Sequence, residues 1–267
     1  MVLAVQLPEV NRTSILQSEI ETMADATEIV KKNDFDKFQA DRVIKVDEWL
    51  NRWENKQTPF HMNEAHKMLK KYVDVMLNGK DHLRILFPLC GKAVDMKWLA
   101  DLGHKIVGIE VSEKAILEFF TEQSVSYSKE AVSDVPGATL FKSSDGKISI
   151  YCCSIYDVSS SFIGKFDGIW DRGSLVAISP CDRQRYSELM LSLMEDDCCY
   201  LLEAFDYDPR LHKGPPFFVP FSAIEELYGS TCNIKFLEAA DMLTDRQREW
   251  GLDYFIQNIY MITLKAT

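Results

Sequence analysis

The chain has 267 residues, 46% of them hydrophobic, with a formal net charge of −11 and a pI near 5.0. That length buries one α/β core with an extension, while the acidic balance excludes sequence-independent binding to nucleic acid, which needs a basic face. Charged residues interrupt every apolar run before it reaches membrane-spanning length, and MVLAVQLPEV lacks the basic start of a signal peptide.

In chain order, residues 1–41 show no organised apolar face and read as a flexible tail, with a helical turn around 18–30. Residues 42–267 read as a single domain that opens with helices over 43–79. VDEWLNRWENK sets Trp49 and Trp53 on one face of a short helix. A linker through Thr58-Pro59-Phe60 leads to an amphipathic helix over 63–77, with Asn63 as its cap and Gly79 as its stop. LRILFPLCGKAVDMKWLADLGHKIVGIE then reads as a buried strand over 83–87, a tight glycine turn, a helix to about 102 and a strand closing on Glu110. A helix over 113–123 follows, then a hairpin around Asp145-Gly146 whose second strand covers 148–153. Strands over 166–170, 200–205, 234–238 and 254–264 alternate with helices over 182–194 and 220–228. Strands alternating with helices in this way predict a mostly parallel sheet covered on both faces.

The turn ending at Gly91 and the acid Glu110 carry the functional signal. A βαβ unit places an acid about twenty residues beyond its turn glycine, where a carboxylate accepts hydrogen bonds from ribose hydroxyls. The turn holds one glycine rather than G-x-G-x-x-G, which argues against a pyrophosphate-bearing cofactor. A nucleoside without phosphates fits, and S-adenosylmethionine is the obvious candidate. In open parallel sheets ligands lie beyond the carboxyl ends of the strands. Leu89 and Gly91, Glu110, then Ser154, Ile155 and Asp157, and finally Asp171 and Arg172 all fall there.

PLCGKAVDMKWLA, KIVGIEVSE, YCCSIYD, IWDRGSLVAI and GPPFFVP, with Trp49, Trp53 and Phe60-His61 upstream, closely resemble the thiopurine S-methyltransferase family over about 43–265. The resemblance implies the class I methyltransferase fold, a seven-stranded, mostly parallel Rossmann-like sheet with helices on both faces, and an N-terminal helical extension over the cofactor. It implies S-adenosylmethionine as donor, S-adenosylhomocysteine as product, and a small aromatic or heterocyclic thiol such as 6-mercaptopurine as acceptor. By family position, Glu110 holds the ribose with Val111 beside it, and Leu89 and Gly91 line the methionine portion. Ser154 and Ile155 flank the adenine, while Trp49 and Trp53 close over the donor. Phe60 borders donor and acceptor; Arg172 lies near the methionine portion and the acceptor. Arg246 resembles the second arginine at the acceptor ring, and Pro215, Pro216 and Phe217 shape a loop over that pocket. Arg172 and Arg246 are the catalytic candidates, since a planar guanidinium stabilises delocalised thiolate charge. The acids in Glu203-Ala204-Phe205-Asp206 depart from the neutral residues of the mammalian members.

Other readings stay open on the residues alone. Arg172 could pair with Asp171 or Asp157, and Arg246 lies in the charge-rich DRQREW, where a solvated face is usual. Cys90 reads as a packing residue, since no adjacent histidine activates it. His61 and His66 share no helical face, and the adjacent pairs Cys152-Cys153 and Cys198-Cys199 chelate poorly, so no metal is expected. An odd count of seven cysteines without C-x-x-C fits a reduced cytoplasm, and a monomer is expected. A donor site serving selenium, tellurium, halide or thiocyanate acceptors is one alternative. A non-catalytic methyltransferase fold that binds a protein is another.

Overall fold

The computed structural model describes residues 38–266. Two helices, α1 (Val46–Glu54) and α2 (Lys67–Leu77), precede β1 (Arg84–Phe87), α3 (Val94–Asp101), β2 (Lys105–Glu110) and α4 (Glu113–Glu122). Then come β3 (Tyr127–Ala131), β4 (Thr139–Ser143), β5 (Ile148–Cys152), α5 (Ser160–Ile163), β6 (Phe166–Asp171) and α6 (Arg183–Ser192). The chain closes with β7 (Met194–Asp206), α7 (Phe221–Tyr228), β8 (Cys232–Asp241), α8 (Asp245–Glu249) and β9 (Ile256–Leu264).

The strands form one sheet in the order β3-β4-β5-β2-β1-β6-β7-β9-β8. The central run β5-β2-β1-β6-β7 is parallel throughout, and β9 and β8 continue it antiparallel. These seven strands match the expected core; β3 and β4 extend it by an antiparallel pair, making nine. The extra strand β3 is exposed at all five positions of YSKEA, so no apolar alternation marks it. Alternate residues of β1 enter opposite cores: Leu86 packs with Val107, Ile109 and Ile169, whereas Ile85 and Phe87 pack with Met96, Leu99 and Ile106. Both faces are buried, as a helix-covered parallel sheet requires.

Several boundaries move. The amphipathic helix begins at Lys67, not at 63, because the His66 ring accepts from Met68 N (3.3 Å) and caps it in place of Asn63. The helix after β6 stops at Ser192, and β7 begins at Met194 instead of 200. Gln39 and its neighbours, assigned by sequence to the tail, are in the fold: Gln39 is buried and bonds to Tyr207, His212 and Phe218. The expected tail over 1–37 and its helical turn at 18–30 lie outside the described residues.

Candidate active site at the carboxyl edge of the sheet

β1 delivers its chain into a turn that reverses through Leu89 (φ 46°) and Gly91 (φ 51°) before α3 begins. Glu110, at the end of the adjacent β2, fixes that turn: its Oε2 accepts from Gly91 N at 2.8 Å and its Oε1 from Ser112 N at 2.7 Å. The carboxylate is 6% exposed. Burial raises its pKa, opposed by the backbone N–H groups of Ser112 and Gly91. A carboxylate accepts about four hydrogen bonds, so two backbone donors leave capacity for a vicinal diol. A Cβ on Gly91 would come within 2.9 Å of Trp53 Cζ2. Backbone turn, carboxylate and indole therefore converge on one cradle that tolerates no side chain at Gly91.

Trp53 is buried, and Phe60 meets it edge-on at 5.8 Å and Trp49 at 6.1 Å. A cleft beside them is lined by Trp53, Lys56, Thr58, Lys92, Glu118 and Glu122. Across β2, Glu110 pairs with Cys152 of β5, and Ser154 caps the short turn Ile155–Asp157 that follows. The structure thus gathers Trp53, Gly91, Glu110, Val111, Ser154 and Ile155 at one edge, with Trp49 and Phe60 at its rim. Cys90, in the same turn, is buried, and burial pushes its thiol pKa well up, which suits packing and not nucleophilic attack.

The acceptor candidates divide into two groups. Arg172 follows β6 directly, but it pairs with neither Asp171 nor Asp157. Asp171 is fully buried and accepts from Tyr186 Oη (2.7 Å), Tyr200 Oη (2.6 Å) and Leu175 N (2.9 Å), which pins the loop carrying Arg172. Arg172 Nε instead lies 3.7 Å from Oε1 of Glu203 on β7. Glu203 Oε2 accepts from Gln257 Nε2 at 2.5 Å and lies 3.4 Å from His66 Nε2. In the sequence Glu203 stands out only as a departure from the mammalian members. The available signal was a lone acid inside the apolar run CCYLLEAF, where an unpaired charge is costly.

Arg246 lies on α8, its guanidinium 5.0 Å from the Trp250 ring centre. Burial and the like charge of Arg52 lower its pKa. Trp250 stacks on His212 at 3.9 Å, and Tyr207 Oη donates to Pro216 O at 2.6 Å. Phe217 N donates to Val176 O at 2.7 Å, which ties the Pro215-Pro216 loop to the loop after Arg172. Among the described residues the two arginines share no direct partner; Arg246 reaches the proline loop only through Trp250 and His212.

The model of the thiopurine S-methyltransferase family matches residues 44–265. The chain belongs to that family. A probable thiopurine S-methyltransferase of Danio rerio is 54% identical over 228 residues, which is 85% of this chain and 98% of the relative. The thiopurine S-methyltransferase of Bos taurus is 52% identical over 227 residues, 85% of this chain and 93% of that one. Among solved structures, a Burkholderia thailandensis 1,6-didemethyltoxoflavin-N1-methyltransferase with bound S-adenosylhomocysteine aligns with TM-score 0.54 at 12% identity, covering 81% of this chain and 86% of its own. The N-methyltransferase NodS of Bradyrhizobium japonicum, in complex with S-adenosylhomocysteine, aligns with TM-score 0.54 at 12% identity, covering 79% and 97%. Likeness at that identity establishes the fold, and it is the class I methyltransferase fold. Family membership makes the chain an S-adenosylmethionine-dependent methyltransferase.

Proposed function

We propose that the chain methylates the sulfur of aromatic and heterocyclic thiols, thiopurines such as 6-mercaptopurine among them, using the cradle around Gly91 and Glu110 for its donor. The observation that carries this reading is the family match across 44–265, which includes every residue of the gathered edge. Bound S-adenosylmethionine supplies an electrophilic methyl group on a sulfonium. The residues present fit it: a buried carboxylate with spare acceptor capacity, a glycine cradle and a roof of Trp53.

Glu110 would hold the ribose hydroxyls, with Leu89 and Gly91 along the amino-acid portion and Ser154 and Ile155 beside the base. Trp49, Trp53 and Phe60 would exclude water, which strengthens every electrostatic interaction inside. Arg172 and Arg246 would face the acceptor and stabilise thiolate charge, since a guanidinium fork matches delocalised charge better than a point cation. Alignment of the attacking sulfur supplies the remaining advantage. The reading includes a monomer in the cytoplasm, in keeping with seven cysteines and no C-x-x-C in the sequence. Among the described residues no helix is long and apolar enough to cross a membrane.

Calorimetric titration with S-adenosylhomocysteine, followed by a methyl-transfer assay on 6-mercaptopurine, tests the reading. Product binding with methylation at sulfur is the expected result. Intact protein that binds no S-adenosylhomocysteine would overturn it.

A further inference from the structure

Glu203 is the unexplained group of this site. Its side chain is 1% exposed, yet Oε1 makes no hydrogen bond among the described residues. The nearest charge is Arg172, whose Nε is likewise unbonded among the described residues and lies 3.7 Å away. That distance is an ion contact and too long for a hydrogen bond. Gln257, two positions from Glu203's cross-strand partner Ile259, donates to Oε2 and fixes the carboxylate from β9. Arg172 is 23% exposed along its side chain. The guanidinium therefore bridges a sealed acid below and the open edge of the sheet above.

We infer that Glu203 is a specificity-determining residue that acts through Arg172, setting how much positive charge the arginine presents to the acceptor and so selecting between anionic and uncharged thiols. This rests on the reading of Arg172 as an acceptor contact. With Glu203 ionised, the pair is close to neutral and Arg172 attracts an anion weakly. With Glu203 protonated, the guanidinium charge is uncompensated and an anionic acceptor gains.

The surroundings place that change within reach of ordinary pH. Burial pushes the Glu203 carboxyl up to about 7, opposed by Arg172 and by the Gln257 hydrogen bond. The other charged groups facing it are Asp171 at the end of β6 and Asp95 on α3, which both raise it further. His66, at the start of α2, stays neutral near pH 7, its pKa lowered to about 4 by burial and by Arg172. His66 Nε2 lies 3.4 Å from Glu203 Oε2 and 3.2 Å from Gln257 Nε2.

The test compares 4-mercaptobenzoate with its methyl ester, two thiols that differ by one remote charge, assayed with the full chain and S-adenosylmethionine. The ratio of their kcat/KM values, each referred to the concentration of thiolate at that pH, cancels donor binding and thiol ionisation and leaves the remote acceptor charge. The charged thiol should be favoured about tenfold more at pH 6 than at pH 8, as a Coulomb interaction over a few ångströms of partly wet protein allows. Glu203→Gln should flatten the ratio at its acidic value. Gln257→Leu removes the bond that favours the ionised form and should move the midpoint to higher pH. A flat ratio in the unaltered protein, or a slope that persists in Glu203→Gln, would overturn the inference while methylation of both thiols left the proposed function standing. Methylation of neither thiol by the unaltered protein would overturn both.

Discussion

One hydrogen bond joins the two residues on which the proposed donor cradle depends. Gly91 N reaches Glu110 Oε2 across 2.8 Å, so the turn and the carboxylate hold each other in place. Replacing Glu110 by alanine removes this constraint and, on the proposed reading, the charge-assisted bonds to a ribose. S-adenosylhomocysteine affinity should fall by roughly 1.5–3 kcal/mol, read by calorimetry; an unchanged dissociation constant would remove the ribose assignment. Gly91→Ala attacks the same cradle from the backbone. It forces a side chain into φ 51° and within 2.9 Å of Trp53. The left-handed conformation alone costs about 1–2 kcal/mol, so urea unfolding should show at least that loss, together with weaker product binding.

At the scale of elements, the sequence was most legible where one rule acts alone. The unit β1–α3–β2 could be read because an apolar run, a turn glycine and a terminal acid fall in order. β3 could not, because its pairing with β4 is a backbone matter and its side chains are all exposed. The start of α2 differs from the sequence expectation because Asn63 is a better cap by type, whereas His66 gains the position through tertiary bonds, including its N–H to Asp95 Oδ1 at 2.6 Å. In the site, Glu110 announced itself by spacing. Arg246 did not, since DRQREW resembles any solvated helix and its support came from family resemblance; the pairing of Arg172 with Glu203 joins strands that register alone brings together. Gln39 is illegible for a related reason: a polar residue in a polar segment carries no sign of burial. It bonds to Tyr207 Oη and His212 O at 2.8 Å and accepts from Phe218 N at 3.1 Å, fastening the entry segment to both sides of the proline loop. Gln39→Ala should therefore destabilise the fold by about 1–3 kcal/mol, measured by urea unfolding. A change within error would mean that this fastening contributes nothing to the folded domain.

Across the whole molecule, the −11 charge coexists with acids that burial holds partly neutral. Asp206, at the end of β7, is half-buried, and burial pushes its carboxyl to about 6 from an ordinary 3.8. Between those values the folded chain keeps a proton that the unfolded chain has released, so stability from this group falls as pH rises. Below the lower value both states are protonated and the contribution is fully present; above the upper value it is gone. His66 works oppositely: its pKa drops from 6.5 to about 4, so its contribution is lost as pH falls through that window. Total stability therefore mixes the two signs, and a difference measurement separates them. Asp206→Asn keeps the shape and stays uncharged at every pH. Its stability relative to the unaltered protein should climb from about pH 4 to about pH 6 and level above, by a total on the order of 1–3 kcal/mol. Urea midpoints collected at matched ionic strength provide the comparison, since a surface of net negative charge responds to salt by itself. Parallel stability curves for the two proteins would show that Asp206 is as well solvated folded as unfolded, and that burial at this end of β7 carries no electrostatic cost.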